Sequence, residues 1–198
     1  MEIYSSKKTD DMYIKKIYRY LDTYEAKNKI YNRIYKFIKK YGVTSVLDVG
    51  CNHGNLAEQF ATNDSIHRKY VGFDNSNLAI MAAKKKFCYM GNMIFDICSV
   101  SDAEKISRKY GKFDGIYLGG ILFYFKTLDE KREFIDIYTN LFQCPYIFIQ
   151  DLKISNIKEL SKFYKFLEYE EDYLNIDNLD NERRERVFAV LQVRNQNN

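Results

Sequence analysis

From Ser45 onward the chain alternates short, nearly continuous apolar runs with longer amphipathic stretches. The runs are Ser45–Gly50, Tyr70–Asp74, Asn92–Ile97, Phe113–Leu118 and Tyr146–Gln150. Runs of this length, bounded by turn residues, predict strands covered on both faces. The stretches between them have helical spacing. Asn55–Thr62 forms a helix after the first run, and Ser76 caps a helix through Lys86 after the second. Ser101 and Glu104 make a capping box for a helix to about Tyr110. Thr127 and Glu130 make another, and the helix it opens carries Phe134, Ile135, Tyr138, Leu141 and Phe142 on one face. Pro145 opens the fifth run. Ser155 starts a further helix with Ile157, Leu160, Tyr164 and Leu167 apolar.

The pattern then changes. Phe166–Ile176 and Arg186–Arg194 read as strands with no helix between them, so they pair antiparallel. Upstream, Asp10–Leu21 predicts a short helix with Ile14, Ile17, Tyr18 and Leu21 on one side. Thr23–Tyr41 predicts a longer one, striped by Ile30, Tyr31, Ile34, Phe37, Ile38 and Tyr41 and ended by Gly42. Together these elements predict an α/β fold. Its sheet is mostly parallel and seven-stranded, with one antiparallel strand at the C-terminal end, helices on both faces and additional N-terminal helices. Residues 1–42 form an expected helical cap or lid, and residues 43–198 the α/β domain.

A hydrophobic content of 46% in 198 residues is ample for one such core. No stretch approaches the roughly 20 apolar residues that span a bilayer. The start, MEIYSSKKTD, lacks the apolar region of an export signal. A cytoplasmic protein without a membrane partner is therefore expected. Residues 1–45 carry 11 Lys/Arg against 5 Asp/Glu, and the remainder 20 against 22. A basic N-terminal face attracts anions, nucleic acid included. Lysines outnumber arginines 22 to 9, however, which fits a solvated face better than a phosphate-reading one. Cys51, Cys88, Cys98 and Cys144 are far apart and have no histidine at zinc-ligand spacing, so no metal is expected.

In an open parallel sheet, ligands bind beyond the carboxyl ends of the strands. The first strand ends in Asp48, Gly50 and Gly54, the second in Asp74, the third carries Asp96, and the fourth runs into Gly119 and Gly120. A glycine turn lets a ligand approach main-chain N–H groups. The acid before it repels a phosphate and favours a cationic amine. Asp74 lies 24 residues beyond Gly50, the separation at which an acid reaches a ribose diol. Taken singly, each acid also reads as a helix cap or turn residue.

The joint pattern resembles the class I S-adenosylmethionine-dependent methyltransferases, a Rossmann-like three-layer family. VLDVGCNHG resembles that family's first motif, YVGFD its second and FDGIYLGG its fourth, and RVFAVLQV fits its closing antiparallel strand. The resemblance covers roughly residues 45–194. It implies S-adenosyl-L-methionine as cofactor and S-adenosyl-L-homocysteine as product. It implies that the turn Gly50–Gly54, including Asn52, holds the methionine end, with Asp48 facing the amino group. Asp74, with Asn75 beside it, would bind the ribose hydroxyls. Asp96 and the Ile97 backbone would meet the adenine edge, and Gly119 would lie near the sulfonium. Asn52 stands where the family has its middle glycine, a departure that asparagine tolerates. A nicotinamide dinucleotide is the weaker alternative, because Asn52 and Asn55 occupy positions where its fingerprint needs glycines.

Methyl transfer from a sulfonium is an in-line displacement in which positioning supplies much of the rate. Candidate catalytic groups are His53 in the turn, Tyr124 after the fourth strand and Asp151 after the fifth. Each also has a plain structural reading, as a carbonyl donor, a packing ring and a helix cap. The LGGIL stretch differs from the proline-rich motif of amino methyltransferases of bases, and no Pro-Cys nucleophile is present. Gly119 and Gly120 occupy the place where a ribose 2′-O enzyme would need an acid. With short loops after strands four and five, the acceptor pocket is expected to be closed by residues 1–41. Tyr4, Tyr13, Tyr18, Tyr20 and Tyr24 there are candidate lid residues. This suits a small-molecule or carbohydrate acceptor with a hydroxyl or amine. RNA or protein as acceptor, and an inactive cofactor-binding partner subunit, are the alternatives. The sequence does not specify an oligomeric state.

Overall fold

The computed structural model describes residues 6–14, 27–63, 68–99, 102–174 and 184–193. One sheet contains β1 (Ser45–Val49), β2 (Lys69–Asp74), β3 (Met93–Ile97), β4 (Gly115–Gly119), β5 (Tyr146–Leu152), β6 (Lys165–Leu174) and β7 (Arg184–Gln192). Their spatial order is β3-β2-β1-β4-β5-β7-β6. Strands β1 to β5 are parallel, and β7 runs antiparallel to both β5 and β6. The strand order reverses at β1, which puts the crevice of a doubly wound sheet at the carboxyl ends of β1 and β4.

Six α-helices are described: α1 (Ser6–Ile14), α2 (Asn32–Lys40), α3 (Asn55–Asn63), α4 (Asn77–Lys86), α5 (Ala103–Tyr110) and α6 (Leu128–Phe142). A π-helical turn, Lys27–Tyr31, leads into α2. The first face of the sheet packs Val46, Tyr70 and Phe148 against Ile34, Leu56 and Ile80 of α2, α3 and α4. The second packs Leu47, Val49 and Ile147 against Ile106, Phe134 and Phe142 of α5 and α6. Strand β1 is covered on both sides, which explains its apolar run and makes Asp48 its one charged interruption. A nine-residue helix such as α2 does not hold alone. Ile34 and Ile38 are fully buried, and each contributes roughly 1.5–3 kcal/mol. Helix α2 also reaches across to β6: Arg33 pairs with Asp172 at 2.7 Å and with Glu170 at 3.6 Å, and Lys40 pairs with Glu168.

The expected caps on α4 and α6 are present. Ser76 Oγ accepts from Ala79 N at 3.1 Å, and Thr127 and Glu130 form both halves of a capping box. Helix α5 begins after Asp102, whose side chain makes no cap bond, and Ser101 lies outside the described residues. Helix α1 starts at Ser6, four residues before the expected Asp10. Of the expected lid tyrosines, Tyr4, Tyr18, Tyr20 and Tyr24 lie outside the described residues, as do the outer ends of the two C-terminal strands.

The helix expected from Ser155 is replaced by 3-10 turns at Lys153–Ser155 and Ile157–Lys162. Asn156 between them is left-handed, with φ 52°, and interrupts any α-helix there. Leu167, expected on that helix, lies in β6. Strand β5 continues through Leu152, so Asp151 lies inside the strand and not after it. No helix among the described residues is long and apolar enough to cross a membrane.

Candidate active site

The turn after β1 is left-handed at alternate residues: Gly50, Asn52 and Gly54 have φ of 71°, 50° and 84°. Asparagine therefore adopts the conformation that the middle position requires. The turn is pinned to β2. Gly50 N and Cys51 N donate to Phe73 O at 2.8 and 3.1 Å, and Asn52 N donates to Asp74 Oδ2 at 3.0 Å. His53 lies half-buried, with Nδ1 3.0 Å from Asn52 Oδ1.

Asp74 Oδ1 accepts from Ser76 N at 2.9 Å. Each Asp74 oxygen thus holds one of these main-chain N–H groups and keeps a lone pair for another donor. Burial pushes this carboxyl up, against the pull of the N–H groups. Asn75 is half-buried beside it. Helix α1 docks at the same corner. Asp10 Oδ1 accepts from Ser76 Oγ at 2.6 Å and from Leu78 N at 3.2 Å, bringing a second carboxylate next to Asp74.

Between β2 and β4 lies a buried polar strip. Asp48 is in register with Gly72 on one side and Tyr117 on the other. Tyr70 donates its hydroxyl to Asp48 Oδ2. Burial pushes the Asp48 carboxyl up to about 7, only partly countered by that bond. Asn55 Nδ2 donates to Tyr31 Oη at 3.3 Å, closing the strip from α3 and the π-helical turn. Tyr70, Tyr117 and Asn55 escape a reading of the sequence because buried tyrosines pass for core and Asn55 for a helix start. A signal was present in the repeated Tyr-x-Gly of YVG and YLG, each a tyrosine two residues ahead of a strand glycine.

The other predicted residues are distributed as follows. Asp96 faces α5, where it accepts from Lys109 Nζ and Tyr110 Oη, both at 2.9 Å, and these partners hold its carboxyl low. Ile97 is exposed at the end of the edge strand β3. Gly119 ends β4, and Gly120 follows with φ 65°. Tyr124 closes a 3-10 turn, half-buried, its ring centroid 3.9 Å from that of Phe123.

Asp151 is fully buried and does not line the crevice edge. It accepts from Leu122 N at 2.7 Å, Phe123 N at 3.2 Å and Leu152 N at 2.6 Å. Burial still pushes its carboxyl up to about 6. It anchors the turn that carries Tyr124. The structure therefore joins Asp48, the glycine turn and Asp74 at one edge, with Gly119 and Tyr124 beside them, while the Asp96 carboxylate is engaged on the α5 face.

A family described as a methyltransferase domain matches residues 46–141. Among solved structures, the Pyrococcus horikoshii protein PH1948, provisionally assigned as an RNA methyltransferase, aligns with a TM-score of 0.66 at 11% identity, covering 90% of this chain and 89% of its own. The Thermoplasma acidophilum protein 1320 aligns with a TM-score of 0.62 at 20% identity, covering 82% and 84%. The N-terminal domain of EvdMO1, solved with S-adenosylhomocysteine bound, aligns with a TM-score of 0.58 at 13% identity, covering 83% and 81%. At these identities the likenesses speak for the fold alone. No curated protein matches the chain.

Proposed function

We propose that the chain is a class I S-adenosylmethionine-dependent methyltransferase and that it methylates an oxygen or nitrogen of a small molecule or carbohydrate. The observation that carries the cofactor half of this reading is Asp48. Its Oδ1 is buried with no hydrogen-bond donor, directly behind the glycine turn. An ammonium group fits that atom, and a phosphate is repelled by it. The cofactor, when bound, supplies a methyl group already activated on a sulfonium.

The residues of this chain do the rest. The turn Gly50–Gly54 and Asp48 hold the amino-acid end. Asp74, steadied by Asn52 N and Ser76 N, keeps lone pairs for the ribose diol, with Asn75 beside it. The main chain at Ile97 forms the adenine edge. Gly119 lies near the reacting centre, its Cβ side closed by the Tyr117 ring. Tyr124 and His53 are the candidate groups facing the acceptor. Asp151 acts on Tyr124 through the turn it anchors, which makes it a positioning residue.

The small-acceptor half rests on charge. The sequence gives the N-terminal segment a surplus of cations, but in the folded chain Arg33 and Lys40 of α2 are matched by Asp172, Glu170 and Glu168 of β6. That matching reduces what is left for a phosphate backbone. RNA or protein remains the second reading, supported by the cations of residues 1–45.

Calorimetric titration with S-adenosylmethionine, against Asp74→Ala, tests the cofactor. Heat for the wild type and its loss in the variant are expected. Binding of NADH instead would refute the assignment. Methyl transfer to small hydroxylated or amino acceptors, compared with RNA binding across a salt series, separates the acceptor classes, because phosphate contacts make binding steeply salt-dependent.

A further inference from the structure

The sheet ends in two edge strands of opposite character, β6 and β3. Strand β6 carries Glu168, Glu170, Glu171 and Asp172, and its register shifts between Phe166 and Glu168. Charges and a bulge keep an edge from pairing with another chain. Strand β3 has neither device. Its pairing with β2 is regular from Met93 to Ile97, and its single charge, Asp96, is held by Lys109 and Tyr110 of α5. Ile94, in the middle of the strand, is an exposed apolar residue.

Only half of the β3 main chain is used by the sheet. Asn92 O accepts from Tyr70 N at 3.0 Å, and Cys98 N donates to Asp74 O at 3.0 Å. These two bonds set the alternation. Main-chain groups of the even-numbered residues face β2, and those of Met93, Phe95 and Ile97 face away from it. Met93 N donates to Met90 O at 3.1 Å, and Ile97 N to Asp96 Oδ1 at 3.1 Å. Met93 O, Phe95 N and Phe95 O are left over, and no described strand lies beyond them.

A groove runs over this edge. Lys84, Phe87 and Cys88 line it on the α4 side, and Lys109 and Tyr110 on the α5 side. The groove is basic. The last turns of α4 and α5 bring Lys84, Lys85, Lys86, Arg108 and Lys109 to it. Lys86 pairs with Glu58, Arg108 with Glu104 and Lys109 with Asp96. Lys84 and Lys85 are exposed and pair with no acid among the described residues. The two helix C-termini contribute about half a negative charge each, which these two lysines exceed.

Main-chain donors and acceptors in one row suit an extended peptide, which offers both kinds of group along its own edge. Phosphates only accept. A second copy of β3 would bring two sets of lysines together, and like charges repel. We propose that the β3 edge docks an extended acidic segment of a partner protein. The segment adds a strand beside β3, sets its acids against Lys84 and Lys85, and packs an apolar side chain on Ile94. This surface is separate from the cofactor site, which uses β3 only at the Ile97 main chain.

Fluorescence anisotropy with the full chain tests the proposal, using a labelled octapeptide that alternates glutamate and valine. Saturable binding is expected. The same peptide N-methylated throughout should bind about tenfold more weakly, because it cannot donate from its main chain. In the double variant Lys84→Glu, Lys85→Glu, affinity should fall about fivefold or more, and an octapeptide alternating lysine and valine should gain by a similar factor. Both lysines are exposed, so the variant should melt within about 2 °C of wild type. Cys88 locates the peptide. It is exposed in the groove while Cys51, Cys98 and Cys144 are buried, so saturating peptide should slow its reaction with a maleimide. No saturable binding, equal binding of the acidic and basic peptides, or an unchanged Cys88 rate overturns the proposal. A dimer in sedimentation whose formation protects Cys88 would assign the edge to a second copy. Tighter binding of a uridine octanucleotide, lost in the double variant, would assign it to nucleic acid. Either result also overturns the proposal.

Discussion

The Tyr70 hydroxyl donates to the Asp48 carboxylate across adjacent strands, and both side chains are buried. Despite this donor, burial pushes the acid up to about 7. Cys51, Asp74 and Tyr117 also face it, and Asp74 adds to the upward shift. An acid raised in the folded state binds its proton more tightly there than in the unfolded chain. Its contribution to stability is complete below the unfolded value of 3.8 and is lost as pH rises through about 7. Without cofactor, Asp48→Asn is expected to be more stable than wild type at pH 8 by on the order of a few kcal/mol, and equally stable at pH 4. Urea denaturation at the two pH values measures this. Cofactor binding at pH 6 should also release a proton, read as a buffer-dependent heat. A difference between the two proteins that does not change with pH would refute the shift.

Asp151 predicts a separation between binding and turnover. Asp151→Ala strands the N–H groups of Leu122, Phe123 and Leu152, a cost of roughly 2–4 kcal/mol in a denaturation experiment. The turn carrying Tyr124 loosens, while Asp48, Asn52 and Asp74 keep their contacts. Affinity for S-adenosylhomocysteine should stay within about twofold of wild type, because none of its contacts is removed. The acceptor KM should rise. A fall in cofactor affinity matching the loss of turnover would show that Asp151 serves the cofactor site.

Helix α1 is tied down beside Asp74 through Asp10, which takes Ser76 Oγ and Leu78 N. Ser76 keeps its own cap on Ala79, so Asp10→Ala should spare the fold. A lost cap contact of about 1 kcal/mol corresponds to about a fivefold change. Amide exchange across residues 6–14 and the dissociation rate of S-adenosylhomocysteine should both rise by about that factor. Faster exchange with an unchanged dissociation rate would mean that α1 does not cover the cofactor.

Much of this architecture could be read in the sequence because two-sided burial writes itself as apolar runs. The ends of β1 to β5 fall within two residues of their expected positions. Side-chain caps are equally legible, since Ser76 and the pair Thr127 and Glu130 satisfy orphan N–H groups that every helix start must satisfy. The misreading at Ser155 has a physical cause. Ile157 and Leu160 suit one face of a 3-10 turn as well as of an α-helix, Tyr164 lies beyond that turn, and the left-handed Asn156 is invisible to periodicity. Asp151 looked like a residue beyond its strand because a buried acid cannot be recognised without the main-chain donors that satisfy it. Asn55 and Tyr117 were hidden for the converse reason, since nothing in the sequence shows that a buried polar atom lacks a partner.

The glycine turn gives the last prediction, because its three left-handed positions are not equivalent. At Asn52 the turn uses the main-chain N–H to Asp74 and a half-exposed side chain. Asn52→Gly keeps both the N–H and the conformation, so cofactor affinity should stay within about threefold. Asn52→Val places a β-branched residue at φ 50° and should cost about 1–2 kcal/mol of stability. Gly54 is different. A Cβ there would lie 2.7 Å from the Phe87 ring and 3.2 Å from the Phe95 ring, which stack with centroids 5.4 Å apart. Its φ of 84° adds strain that no neighbouring adjustment relieves. Gly54→Ala should therefore lower the melting temperature more than Asn52→Val does, by roughly 5–10 °C for about 2–3 kcal/mol in a chain of this size. Thermal melts of the three variants decide the order. If Gly54→Ala melts with the wild type, the Phe87–Phe95 pair yields, and steric exclusion is not what requires glycine at position 54.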